Sequence, residues 1–209
     1  MYNERILIVE DEKIISLDLQ RRLERFGYSI AGTTADGQDA IDKCSELKPS
    51  IVLMDIMLSG PIDGIESARI INKKLGIPVV FITAYADEKT LERAKEAEPF
   101  GYILKPFKER ELYTTIDIAL YKHRVDKQLK SQERLFSAIL HSVNDAIIAI
   151  DMNLDILFSN PTAERFIGLE EHAIKGKPLL DFIRFSDGRN NLLDTEALLP
   201  TGNVSAPFT

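Results

Sequence analysis

Four short apolar runs each end on polar residues that could do chemistry. Glu10-Asp11 follow Ile6-Leu7-Ile8-Val9, and Asp55 follows Ile51-Val52-Leu53-Met54. Thr83 follows Val79-Val80-Phe81-Ile82, and Lys105 follows Tyr102-Ile103-Leu104. Any one of them alone reads as the solvated end of a strand. Brought together, crowded carboxylates repel by roughly 1 to 4 kcal/mol per pair, depending on the effective dielectric. A hard divalent cation relieves that repulsion, and Mg²⁺ suits a site with few protein carboxylates and several waters. Asp55 could then attack phosphorus and form an acyl phosphate. Lys105 offers a positive charge to one phosphoryl oxygen and Thr83 a hydroxyl to another. Positioning and charge neutralisation are most of what phosphoryl transfer requires.

The elements that must gather these residues are legible around them. The four runs, with Ser29-Ile30-Ala31-Gly32, alternate with helix-period segments at Ile14 to Phe26, Gln38 to Leu47, Ile65 to Leu75 and Lys89 to Ala97. Nearly continuous apolar runs are expected of parallel strands covered on both faces. Strands alternating with helices predict an α/β fold, a doubly wound (βα)5 sheet with right-handed crossovers. Such sheets bind ligands beyond the carboxyl ends of their strands, where Glu10, Asp11, Asp55, Thr83 and Lys105 fall.

From Phe107 no glycine or proline occurs until Pro161, which predicts one long helix from about Glu109 to Ser142. Ile118, Val125, Gln132 and Ile139 recur every seven residues, with Tyr121, Gln128, Leu135 and Ser142 three residues after each. This weakened heptad predicts a parallel two-stranded connector. The alternative is a single amphipathic helix packed on its own domain. Beyond it, Ala146 to Ile150 and Asp155 to Ser159 read as a hairpin around a polar turn. Asn160 reads as a helix cap with Pro161 at the first helical position. The stretch from Arg184 to Thr209 is poor in strand signal.

Composition bounds the rest. The chain has 209 residues, 44% hydrophobic and 28% charged, as an ordinary globular protein does. A formal charge of -7 argues against a nucleic-acid partner. No apolar run approaches the roughly 20 residues of a membrane span. Met1 to Arg5 is polar and leads into a strand, so no signal peptide is expected. The lone Cys44 reads as a small buried hydrophobe, and the compartment expected is the cytoplasm.

Glu10-Asp11, Asp55, Asp63-Gly64, Thr83-Ala84 and Lys105-Pro106-Phe107, in this order and strand context, resemble the receiver domain of two-component response regulators. The resemblance runs from Asn3 to about Tyr121. It implies strand order 2-1-3-4-5, a histidine kinase that phosphorylates Asp55, and Mg²⁺ held by Glu10, Asp11, Asp55 and the backbone carbonyl of Met57. Lys105 would contact Asp55 and then the phosphoryl group. Thr83 and Tyr102 would form the switch, Tyr102 turning inward as Thr83 is drawn to the phosphoryl group. The plainer reading of Tyr102 is an edge aromatic in the core. Asp55 and Asp63 stand eight residues apart, one more than the commonest family pattern, so the Ser59-Gly60-Pro61-Ile62 loop is expected to carry an extra residue.

The hairpin, Asn160 to Gly168 and Gly176-Lys177-Pro178-Leu179 resemble the start of a PAS sensor domain. After Ile183 only the fragments Leu192-Leu193 and Ala197-Leu198-Leu199 remain. A truncated PAS unit is therefore expected, or an abbreviated one that leans on a partner subunit. No PAS cofactor is expected: no cysteine is placed for a flavin adduct, and His172 reads as a solvated helix residue. His141 lacks the neighbours of a kinase phosphoacceptor, and His123 reads as a connector-surface residue.

The combined expectation is a cytoplasmic, phosphorylatable response regulator: a receiver at 1–121, a connector at 122–142 and a partial α+β PAS-like module at 143–209. It would homodimerise through receiver and connector and act by contact with another protein, itself not an enzyme beyond its own phosphorylation and dephosphorylation. The alternative is the N-terminal fragment of a hybrid sensor histidine kinase. A haloacid-dehalogenase-type phosphatase would need a second aspartate where Met57 stands. A transcription factor would need a helix-turn-helix or basic patch.

Overall fold

The computed structural model describes residues 4–84 and 88–184, with the backbone alone at Glu88. The chain divides into two units, Met1–Lys130 and Ser131–Thr209.

In the first unit, β1 (Arg5–Val9), β2 (Ser29–Thr34), β3 (Ile51–Asp55), β4 (Val79–Thr83) and β5 (Gly101–Leu104) pair in parallel in the order β2-β1-β3-β4-β5. The helices between them are α1 (Lys13–Arg25), α2 (Gly37–Leu47), α3 (Gly64–Ile70) and α4 (Glu88–Glu96). Alternate strand residues point to opposite faces. Leu7, Val52, Met54 and Phe81 therefore join the cluster under α2, α3 and α4, with Ala40, Ala68 and Ala94. Ile6, Ile8, Leu53 and Ile82 join the other, with Leu19 and Leu23 of α1 and Leu112 and Ile116 of the helix after β5. The doubly wound α/β expectation holds.

Two details depart from the periodicity. The third helix is not uniform: after Ile70 it continues as a π-helical turn, Ile71–Leu75, and ends on Gly76 in the left-handed region. Asn72 on that turn donates to the carbonyls of Ala97 and Glu98, closing the C-terminal end of α4. β2 runs on to Thr34, because pairing with β1 continues through Val9↔Thr34 after an irregularity at Ile6/Leu7. Cys44 is buried as expected, and burial pushes its thiol up to about 12.

α5 (Glu109–Ser142) is the long helix expected. Its first turns bury Leu112, Ile116, Ala119 and Leu120. Beyond them Tyr121, Val125, Leu135 and Ile139 are exposed. Leu129 and Phe136, outside the heptad read from sequence, are exposed with them. His123 is half-buried with its ring edge-on to Phe100, 5.5 Å between centroids.

In the second unit, β6 (Ile148–Ile150) and β7 (Ile156–Ser159) form the expected antiparallel hairpin. The first strand is shorter than the apolar run: at Ile147 one backbone bond remains, from the Asn160 amide to the Ile147 carbonyl, and a side chain supplies the other. Ile147 N–H donates to Asn160 Oδ1 at 2.9 Å. The polar turn is held by Asp151, whose Oδ1 accepts from the amides of Asn153 and Asp155. α6 (Pro161–Ile167) starts as read, with Asn160 capping the Ala163 amide, and α7 (Glu171–Ile174) follows. Ile156, Ile174 and Leu179 form the buried apolar cluster here. The fragments Leu192-Leu193 and Ala197-Leu198-Leu199 lie outside the described residues.

Candidate functional site

The strand order decides which polar ends meet. β1 and β3 are neighbours, so Glu10, Asp11 and Asp55 emerge side by side. One ligand oxygen from each lies within 4.8 Å of the others. β5 follows β4, and the Lys105 amide donates to the Thr83 carbonyl at 2.9 Å, which fixes where the lysine leaves the sheet. Its Nζ crosses to Asp55 Oδ2 at 2.6 Å and to Glu10 Oε2 at 2.8 Å. The acids and the lysine read from the strand ends are thus brought together. The contact to Glu10 was not foreseen, although an extended Lys side chain reaches any acid on a neighbouring strand end.

Burial sharpens the electrostatics. Glu10 and Asp55 are buried, Asp11 half-buried. Burial pushes the Glu10 carboxyl above its ordinary 4.5; the hydrogen bond from Lys105 offsets part of this, and the charge of Asp55 adds to it. Burial works against the Lys105 ammonium, but the hydrogen bonds to Asp55 and Glu10 outweigh it and hold the pKa above 10.5. Three carboxyl groups stand against one ammonium, which pairs with Glu10 and Asp55, so the pocket remains electronegative. Its hard oxygen donors fit Mg²⁺ in chemistry and spacing.

The backbone after Asp55 closes the site. The Met57 amide donates to Asp55 Oδ1 at 2.9 Å. Gly64 packs so tightly on β3 that a β-carbon there would collide with the Asp55 carbonyl oxygen. The Asp63 side chain caps the Glu66 amide at 2.9 Å and takes Arg93 Nη2 of α4 at 2.7 Å. In the Ser59-Gly60-Pro61-Ile62 loop, Ser59 Oγ donates to Asp11 Oδ2 at 2.7 Å. In the sequence Ser59 and Gly64 stand out only as loop and motif members. Their hydrogen-bond and contact roles have no periodic signal, and only their distance from Asp55 along the chain hinted at them.

The pocket is an open cavity of about 380 Å³ bordered by Asp11, Asp55, Met57, Ser59, Ala84 and Lys105. A larger one, about 720 Å³, adjoins it across Lys105 between α1 and Pro106-Phe107. The smaller cavity holds the chemistry, since it carries the carboxylates.

Thr83 is buried at the end of β4, beside this edge. The Tyr102 ring packs on Phe81 with centroids 5.8 Å apart, and its hydroxyl is buried without a hydrogen-bond partner among the described residues. Among the histidines expected to be inert, His172 is exposed beside Glu170 and His141 Nδ1 is 2.7 Å from the Ser137 carbonyl one turn earlier.

Comparison with known families decides the affiliation, because the response regulator receiver domain matches residues 6–117. The chain belongs to the response-regulator receiver family. A PAS fold matches residues 134–199, so this response regulator carries a receiver followed by a PAS region. Among curated proteins it is 35% identical over 138 residues to the transcriptional regulatory protein PdtaR of Mycobacterium tuberculosis, covering 66% of this chain and 67% of that one. Among solved structures it is similar to the signal receiver domain of a modulated diguanylate cyclase from Desulfovibrio desulfuricans G20. That match has 36% identity and a TM-score of 0.58 and covers 59% of this chain and 98% of the other. It is also similar to the N-terminal domain of a response regulator/sensory box/GGDEF three-domain protein from Carboxydothermus hydrogenoformans. There the identity is 31%, the TM-score 0.55, and the coverage 59% of this chain and 98% of the other. A receiver domain implies a histidine kinase as partner. Among the described residues no helix is long and apolar enough to cross a membrane.

Proposed function

We propose that Asp55 accepts a phosphoryl group from a histidine kinase, with Glu10, Asp11, Asp55 and the Met57 carbonyl holding Mg²⁺. When bound, the cation neutralises the acids and screens the incoming phosphoryl oxygens. An Asp55 oxygen attacks phosphorus as the bond to the donor imidazole breaks. Lys105, at 2.6 Å from Asp55, follows the charge onto a phosphoryl oxygen, and the Thr83 hydroxyl takes another. The observation that carries this reading is the convergence of Glu10, Asp11, Asp55 and Lys105 at one sheet edge.

The switch proposed pairs Thr83 with Tyr102, whose hydroxyl has no hydrogen-bond partner to give up among the described residues. The domain bounds proposed are receiver 1–121, connector 122–142 and PAS-like module 143–209. The exposed stripe of Ile118, Tyr121, Val125, Leu129, Phe136 and Ile139 supports a second copy pairing along the connector. Output passes to a downstream protein, and the cytoplasm is the compartment proposed. The rival, a hybrid-kinase fragment, is not favoured, because a receiver joined to a sensory box also occurs in the Carboxydothermus three-domain protein.

The test is incubation of the full chain with acetyl phosphate and MgCl₂, read by intact mass. The wild type is expected to gain one phosphoryl group, and Asp55→Asn or a chelator is expected to prevent it. Equal modification of Asp55→Asn would remove the site assignment.

A further inference from the structure

The three carboxyl groups of the pocket are not held alike. Asp55 is fixed twice, by the Met57 amide and Lys105 Nζ. Glu10 is fixed by Lys105 Nζ and by the Glu12 amide, which donates to its Oε1 at 3.3 Å. Asp11 has neither the lysine nor a backbone amide. Among the described residues its side chain accepts one hydrogen bond, from Ser59 Oγ at 2.7 Å across 48 positions of sequence. Ser59 is itself placed by a pinned loop. A β-carbon on the next residue, Gly60, would stand 2.9 Å from Asp36 Oδ2, and one on Gly37 would stand 2.7 Å from the Ile62 carbonyl.

We infer that Ser59 is a positioning residue for the cation: it holds one oxygen of Asp11 so that the carboxylate presents its other oxygen beside Asp55 and Glu10. The inference rests on the Mg²⁺ reading above and adds a residue to it. Groups that hydrogen-bond a ligating carboxylate commonly change metal affinity by roughly 10-fold to 100-fold when removed. A hydroxyl donor also leaves the charge of Asp11 intact, where an ammonium would compete with the cation for it. The loop between Asp55 and Asp63 carries this donor to Asp11.

Isothermal titration of the full chain with MgCl₂, without phosphodonor, tests this directly. Wild type should bind, Ser59→Ala should bind about tenfold more weakly, and Ser59→Thr should stay close to wild type because it keeps the hydroxyl. Without Mg²⁺, all three should melt together. Ser59→Ala binding as tightly as wild type would overturn the inference. So would Ser59→Thr as weak as Ser59→Ala, or a metal-free Ser59→Ala with a clearly lower melting midpoint. A wild type that binds no Mg²⁺ would instead sink the cation reading itself.

Discussion

The first unit buries apolar side chains on both faces of a five-stranded sheet. The described part of the second pairs two strands over Ile156, Ile174 and Leu179. In the first, packing supplies the rigidity and polar groups are left to the sheet edge, where Glu10, Asp55 and Lys105 are held together. In the second, a polar side chain does much of the organising. Asn160 accepts from the amides of Ile147 and Ala163 and donates to the carbonyls of Leu140 and Asp145, tying the end of α5, the start of β6 and the cap of α6. A frame made of buried apolar area tolerates a repulsive pocket. A frame made of one hub of hydrogen bonds has less to lose before it comes apart.

Four tests, using five substitutions, probe the two frames. The largest effect is expected for Gly64→Ala, which drives a methyl into the Asp55 carbonyl. It should destabilise the first unit by about 4 kcal/mol or prevent its folding, read by urea unfolding. An unchanged midpoint would show that the loop after Asp55 is not pinned. Next, Phe81→Ala should cost the first unit roughly 3 to 5 kcal/mol. Ile156→Ala should cost less than Phe81→Ala, because its small cluster has less to lose; equal costs would erase the contrast. Third, Asn160→Ala should cost the second unit roughly 2 kcal/mol, combining a lost cap with amides and carbonyls left unpaired. Hydrogen exchange should rise at Ile147 and Ala163 and stay unchanged in β1 and β3. A rise spread evenly over both units would contradict the hub.

The smallest concerns pH. Lys105 has its pKa raised in the folded chain, so its pairing stabilises fully below the ordinary value of 10.5 and is lost as pH rises through the folded value. Wild-type stability should therefore decline above pH 10.5 by a component that Lys105→Met lacks. Parallel curves for the two would show that the ammonium contributes nothing to the fold.

What was legible in the sequence follows the same contrast. Continuous apolar runs such as Val79 to Ile82 announce buried parallel strands, and the residues after them mark the pocket, because chain direction alone puts every strand end at one edge. The alternation in β6 and β7 is short, and Asn160 substitutes a side chain for a ladder bond, so no periodicity shows where β6 begins. The heptad on α5 passed over Leu129 and Phe136, since a straight helix turns every 3.6 residues and drifts off a strict seven-residue count. The lysine's second bond, to Glu10, and the serine's bond to Asp11 depend on side-chain reach between segments far apart in the chain. Residue type suggests such bonds, and only the fold selects among them.

The most direct test of the pocket is to reduce the phosphorylated chain with borohydride, which converts an aspartyl phosphate to homoserine, and to map the product by peptide mass spectrometry. Homoserine at position 55, dependent on Mg²⁺ and weakened by Lys105→Met, is the result predicted. Homoserine at another aspartate, or none in a chain that carries phosphate, would contradict it.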